Sequence, residues 1–366
     1  MRKTLLLLLL ATAGLSQAQQ HYRVTNLGTL PTDSITVGYG LNDLGDAVGY
    51  CERGGFVGTI RPFVYHAGVL KDFAPSVYFS YTTAIATGIN NKGTIVGYFF
   101  GKPPVPEGEN PLDLAFVYNG TFKAITDGHH GSTFAAISNL NGLAVGAYTP
   151  EDLRTVNNLL VYDQAFSFAN NPAPGQYGIL TNLYLLLPGA HSTVDDSYAK
   201  AINNKNQIAG TTYLVGVADF YRPRAWLASG GTVQYLVHDI NNVNVNWSAQ
   251  GINDSGQIVG VTGPFQGLNS VAILYQNGKL FPLQTASGQQ SAANAINNAG
   301  QIVGNYGVPG AQTAIIWLGG RAFDLNKLVA SPGIKLTNAV AINQKGQILA
   351  NGTLNGATRA FLLTPQ

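Results

Sequence analysis

Cysteine is nearly missing from this chain: its 366 residues contain one, Cys51. No internal disulfide can form, so burial and backbone pairing must hold the fold together. Cys51 reads as a small buried apolar residue, with a reactive thiol as the alternative. Charge is just as sparse. Asp, Glu, Lys and Arg make up 10% of the residues, and the net charge of +2 falls to about zero once Arg2 and Lys3 are set aside. Such a chain has no electrostatic footprint for nucleic acid or an anionic membrane, and neither is expected as a partner. Long apolar runs are also absent beyond the N-terminus, so no membrane-inserted segment is expected.

The N-terminus is the exception to this evenness. MRKTLLLLLLATAGLSQA sets Arg2 and Lys3 before the run Leu5 to Leu10 and ends with Ser16 and Ala18, the small residues a signal peptidase requires. The pattern predicts a signal peptide over residues 1–18, cleaved near Ala18, and a soluble secreted chain, periplasmic or extracellular. No cysteine stands at the cleavage site, so no lipid anchor is expected. What the sequence has in quantity is glycine, 44 residues, together with asparagine. With 45% hydrophobic residues and few charged helix formers, residues 19–366 read as a single all-β domain rich in tight turns.

One motif organises that domain. It appears as LNDLGDAVG (Asn42), INNKGTIVG (Asn90), SNLNGLAVG (Asn139), INNKNQIAG (Asn203), INDSGQIVG (Asn253), INNAGQIVG (Asn297) and INQKGQILA (Asn343). Successive asparagines are 48, 49, 64, 50, 44 and 46 residues apart, the length of one four-stranded propeller blade. Each unit carries four β signals, as in TTAIATGIN, GTIVGYFF, LAFVYNG and GTFKAITDG of the second. N-x-x-G between the first two is the chemistry of a type I turn with a G1 bulge: Asn caps the turn and Gly takes the left-handed conformation. Asn206 in place of Gly keeps that reading, since Asn tolerates positive φ best after Gly. The second glycine of the motif falls inside a strand, where it permits close backbone approach, with Ala350 as the exception in the last copy.

The seventh unit stops after its third strand, while HYRVTNLGTL at residues 21 to 30 stands outside any unit and resembles a fourth strand. Docking one against the other predicts a seven-bladed β-propeller of four-stranded antiparallel blades, closed by the N-terminal strand. Six blades plus an irregular unit is the alternative, because the third repeat is distorted. There AFSFANNPAPGQYGIL, about residues 165–180, reads as an insertion between LLVYD and TNLYLLLPG.

The unit A-x-x-I-N-x-x-G-x-I-V-G, followed by a segment such as RAFLL or LAFVYNG, resembles the HAF-repeat family of extracellular repeat proteins over nearly the whole mature chain. The histidine that names the family is absent from the third strands, which read RPFVY, LAFVY, NLLVY, PRAWL, VAILY, TAIIW and RAFLL. The resemblance implies an exported repeat fold and carries over no catalytic residue. Sialidase boxes, Trp-Asp blade endings and kelch Gly-Gly doublets in register are missing.

Tight, uniform turns join the first strand to the second and, outside the third repeat, the third to the fourth. The other connections are long and different in each repeat, so a functional surface is expected on their face of the ring, near repeats two to four. That expectation takes the repeated motif out of the candidate site. The variable loops hold His129 and His130; His191, Asp195, Asp196 and Tyr198; Tyr221, Arg222 and Arg224; and His238 and Trp247. Paired histidines can ligate a metal, but solvated turn histidines are the commoner case, and no metal or other cofactor is expected. Asp195 and Asp196 can supply a general acid or base in glycoside cleavage, or shape a turn. Arginine and loop aromatics suit acidic sugars and ring stacking, with pairing to Asp219 and packing between blades as the plainer roles. The expected function is a monomeric, secreted, non-catalytic propeller that binds a glycan or a protein partner. The alternative is a polysaccharide hydrolase or lyase using His129, His130, His191, Asp195, Asp196 and Arg224.

Overall fold

The structure, a computed structural model, describes residues 21–54, 60–73, 83–100, 114–124, 132–140, 142–148, 163–169, 179–183, 186–187, 196–214, 222–236, 246–262, 270–285 and 289–366. The expected signal peptide lies outside them. Strand β1 (Tyr22–Asn26) opens the chain. Seven four-stranded antiparallel blades follow. The first is β2 (Ile35–Leu41), β3 (Ala47–Glu52), β4 (Ile60–His66) and β5 (Val69–Asp72); the second is β6 (Thr83–Ile89), β7 (Ile95–Phe100), β8 (Leu114–Tyr118) and β9 (Phe122–Ala124). The third is β10 (Ser132–Ile137), β11 (Leu143–Tyr148), β12 (Gln164–Ala169) and β13 (Ile179–Asn182); the fourth is β14 (Asp196–Ile202), β15 (Ile208–Leu214), β16 (Arg222–Ser229) and β17 (Thr232–Tyr235). The fifth is β18 (Trp247–Ile252), β19 (Ile258–Thr262), β20 (Val271–Gln276) and β21 (Lys279–Pro282); the sixth is β22 (Ser291–Ile296), β23 (Ile302–Tyr306), β24 (Thr313–Leu318) and β25 (Arg321–Asp324). One turn of helix, α1 (Leu325–Leu328), leads to the seventh, made of β26 (Ile334–Ile342), β27 (Ile348–Leu354), β28 (Ala357–Pro365) and β1.

Neighbouring first strands touch all the way round: β2 with β6, β6 with β10, β10 with β14, β14 with β18, β18 with β22, β22 with β26, and β26 with β2. First strands therefore line the axis of a seven-bladed propeller, as the repeat predicts. Closure is also as expected. β1 pairs antiparallel with β28, Tyr22 opposite Pro365 and Asn26 opposite Phe361, so both chain ends share one sheet. Leu27 and Leu30 then turn inward between blades seven and one, beside Cys51, Phe63 and Leu349.

The core lies between blades because both faces of each sheet are apolar. Between blades four and five, Ala209 and Ala225 meet Trp247, Ile258 and Ile273. Within each blade the in-strand glycine lets the bulged first strand lie close against the second: a Cβ at Gly260 or Gly304 would overlap the carbonyl oxygen of Ser248 or Ala292 in the neighbouring strand. In blade seven an extra bulge in β26 shifts that contact to Gly352, which is why Ala350 is tolerated.

The N-x-x-G turns form as expected, with Gly300 at φ 74° and Asn206 at φ 58°. The asparagines do more than cap. Asn297 Oδ1 accepts from Ala299 N at 3.1 Å and Gln301 N at 3.0 Å, while its Nδ2 donates to Gln301 Oε1 at 2.7 Å and to the Asn343 carbonyl of the next blade at 3.1 Å. Asn42, Asn203, Asn253 and Asn343 make the same inter-blade bond, and Asn343 Nδ2 closes the circle onto Asn42 O at 2.9 Å.

Blade three corrects two details of the reading. Its third strand is β12, inside the stretch taken as an insertion, and Phe166 and Phe168 are fully buried there. NLLVY and AFSFA are equally apolar and strand-like, so only packing distinguishes them; the former lies outside the described residues. The turn is also one residue longer than the alignment implies. Ser138 N bonds Leu143 O, five residues on, where Asn42 N bonds Asp46 O, four on. Buried Ser138 thus takes the capping position, Asn139 moves to the next, and Asn90 Nδ2 is left buried without a hydrogen-bond partner.

Candidate functional site

Two mouths open on the axis. At the turn mouth, among the described residues, the residue after the capping position reaches the neighbouring turn at six of the seven junctions, the one between blades three and four excepted. Asp43 N donates to Asn91 Oδ1, Asn91 N to Asn139 Oδ1, Asn204 N to Asp254 Oδ1, Asp254 N to Asn298 Oδ1, Asn298 N to Gln344 Oε1 and Gln344 N to Asp43 Oδ1, at 2.8–3.1 Å. Asp43 Oδ2 also accepts from Asn91 Nδ2 at 2.9 Å and from Asn139 Nδ2, two blades away, at 3.3 Å. Burial works to raise the Asp254 carboxyl, but hydrogen bonds from Asn204 and Asn298 outweigh it and hold the group below the usual range. These polar side chains are spent on one another. The mouth is a seal between blades.

The other mouth belongs to the variable connections. Between the two mouths, every first strand carries a bulge three residues before its capping position, which leaves one unpaired residue on the innermost strand: Tyr39, Thr87, Ala135, Lys200, Gln250, Asn294 and Val340. Thr87 Oγ1 spends its donor on Phe134 O at 2.7 Å, and Asn294 Nδ2 bonds Asn338 Oδ1 and Ala339 O. Tyr39 remains 42% exposed, with its ring 6.1 Å from that of Tyr50.

Lys200 belongs to a denser group where blades three and four meet. Asp163, just before β12, accepts Ser197 N at its carbonyl at 2.7 Å and donates its own N–H to Asp196 Oδ1 at 3.1 Å. Tyr198 Oη donates to Asp163 Oδ2 at 2.9 Å, and Tyr213 packs edge-on to the Tyr198 ring at 5.9 Å. Lys200 Nζ sits 4.8 Å from the centre of the Tyr198 ring. Burial, then the charges of Asp163 and Asp196, push the Tyr198 phenol far above its ordinary range, so it stays a donor. Burial pushes the Lys200 ammonium down, and Asp163 opposes that only in part.

Sequence reasoning pointed to this face, and to Asp196 and Tyr198 on it. His129, His130, His191, Asp195, Tyr221 and His238 lie outside the described residues, and of Arg222 only the backbone is described. Arg224 is half-buried on β16, with its guanidinium 5.9 Å from the centre of the Tyr235 ring. Trp247 is corrected: it is 1% exposed, stacked on Tyr275 at 5.8 Å within the blade four–five core, and offers a ligand no surface. Asp163 and Lys200 were missed. The one adjoins a loop and the other interrupts an apolar strand, YAKAI; a charged residue inside such a strand was the signal available. Among the described residues no three His, Cys, Asp or Glu gather to hold a metal, and no helix is long and apolar enough to cross a membrane.

No family model matches the chain, and no curated protein is similar to it in sequence. Solved structures are similar in fold. The β-propeller domain of the Trilobed protease from Pyrococcus furiosus matches with a TM-score of 0.55 at 9% identity, over 90% of this chain and 97% of that one. The acylaminoacyl peptidase of Pyrococcus horikoshii matches at 0.54 and 11% identity, over 92% of this chain but 53% of its own. At such identities the likeness shows a propeller and nothing of chemistry. The Pyrococcus furiosus domain is described as having an open velcro topology, whereas here β1 completes the last blade.

Proposed function

We propose that the protein is an exported binding propeller of the HAF-repeat type, which recognises a glycan or protein through the variable face at blades two to four without catalysis. The observation that supports it is the Asp163–Asp196–Tyr198–Lys200 group, which joins acceptors, a locked donor, a cation and aromatic faces beside the axis. This mixture suits hydroxyl-rich ligands. Both carboxylates are tied to donors in the same seam, Asp163 to Tyr198 and Asp196 to a backbone N–H. A glycosidase instead needs two carboxyls facing each other across a gap. A glycan array tests the proposal. Binding by the wild type that drops at least tenfold in Asp196→Asn and Tyr198→Phe, with no product released from polysaccharides, supports it. Polysaccharide cleavage abolished by the same replacements establishes a hydrolase or lyase instead.

A further inference from the structure

Lys200 is the only charged residue among the seven bulge positions on the axis. A bulge leaves its extra residue outside the ladder and re-aims its side chain, and Lys200 stands where the innermost strand of blade four faces the axis. No carboxylate among the described residues lies within 4.0 Å of its Nζ, and no described side chain or carbonyl accepts a hydrogen bond from it. Among the described residues its near neighbour is the Tyr198 ring, 4.8 Å from Nζ. Among the described residues the charge acting on it is that of Asp163, whose Oδ2 is bonded by Tyr198 Oη. No N–H of the lysine is therefore spent on an acceptor among the described residues, and an ammonium has three to offer.

We propose that Lys200 is the anion-receiving group of this face and that the ligand is an acidic oligosaccharide, one of whose carboxylate or sulfate groups pairs with Nζ at the axis. The proposal rests on the binding reading above and narrows its ligand class. An incoming anion adds to the countercharge that Asp163 supplies only in part, and charge-assisted bonds of this kind are about twice as strong as neutral ones. A sugar is favoured over an acidic peptide because the axis also offers aromatic surface: Tyr39, 42% exposed beside Tyr50, stands at the same bulge position on blade one. Lysine as a point charge accepts either a carboxylate or a sulfate, so the probe set contains both.

The test is calorimetric titration of the full chain with oligogalacturonate, oligomannuronate and a heparin tetrasaccharide, beside neutral cellotetraose and tetraglutamate. The expected result is binding of at least one acidic saccharide, weakened at least tenfold in Lys200→Gln, kept within about threefold in Lys200→Arg, and weakened by added salt. Melting temperatures of both variants show that the fold is intact; should Lys200→Gln fail to fold, Lys200→Met takes its place. Cellotetraose binding that equals the acidic probes and ignores Lys200→Gln overturns the anion role while the binding face survives. Lysine-dependent binding of tetraglutamate alone overturns the glycan and makes the partner an acidic protein. No binding of any acidic probe, with an array still showing neutral ligands, overturns the proposal by itself.

Discussion

Tyr22 offers a direct measurement of how the ring closes. It begins β1, is 3% exposed against Leu325, Leu328 and Leu363, and its hydroxyl is buried without a hydrogen-bond partner. Burial pushes its phenol from 10.0 up to about 12. Below pH 10 the folded and unfolded chains both keep the proton, and the residue adds no pH dependence. Above pH 10 the unfolded chain loses it first, so stability falls until the folded phenol also titrates. At pH 11 the difference is about one proton-binding unit, or ~1.4 kcal/mol, and it approaches ~2.7 kcal/mol above pH 12. Tyr22→Phe removes this loss. At neutral pH it also removes an unsatisfied buried hydroxyl, which is expected to raise stability by about 1–2 kcal/mol. Urea midpoints of wild type and Tyr22→Phe between pH 8 and pH 11.5 test both parts, because the other tyrosines shared by the two proteins cancel in the difference. A variant less stable at pH 8 would mean the hydroxyl is bonded. A gap that stays constant through pH 11 would mean burial does not hold the phenol, and the account of this strand would be wrong.

Asn297→Ala removes four hydrogen bonds, one of them to the next blade, whereas Asn90→Ala removes two, those its Oδ1 accepts from Lys92 N and Thr94 N, because its Nδ2 has no partner to lose. In thermal or urea unfolding the former is expected to cost about 1–2 kcal/mol more than the latter. Gly260→Ala drives a Cβ into the Ser248 carbonyl and should cost at least about 3 kcal/mol, while Ala350→Gly, where blade seven has shifted the contact, should cost about 1 kcal/mol or less. Trp247→Ala is expected to destabilise by about 3–5 kcal/mol in the same assay, because the indole fills the blade four–five core. A change in ligand affinity with unaltered stability would return that residue to the surface.

Much of the fold was legible because a propeller is a local structure repeated. Each N-x-x-G fixes a hairpin from four consecutive residues, and the alternation on either side fixes its strands. The missing fourth strand after RAFLL and the spare HYRVTN were enough to predict that β1 meets β28. Blade three was legible only in outline. LLVY and AFSF satisfy the same strand preferences, and SNLNG aligns on its Asn as well as its Gly, so local chemistry could not choose the register that burial of Phe166, Phe168 and Ser138 selects. The candidate site was legible as a face and as two residues, Asp196 and Tyr198, because loop diversity marks the open side.

Their partners were not legible. Asp163 and Tyr198 are 35 residues apart, and the Asn343–Asn42 bond that completes the circle spans 301. Periodicity and turn chemistry act over a few residues and determine the number of blades, their hairpins and which end is spare. Which amide crosses to which blade, which aromatic is core and which lysine faces the axis depend on seven sheets packing face to face. Only that packing removes water from Trp247, ties the turn mouth together through Asp43 and Asp254, and leaves Lys200 beside Tyr198 where blades three and four meet.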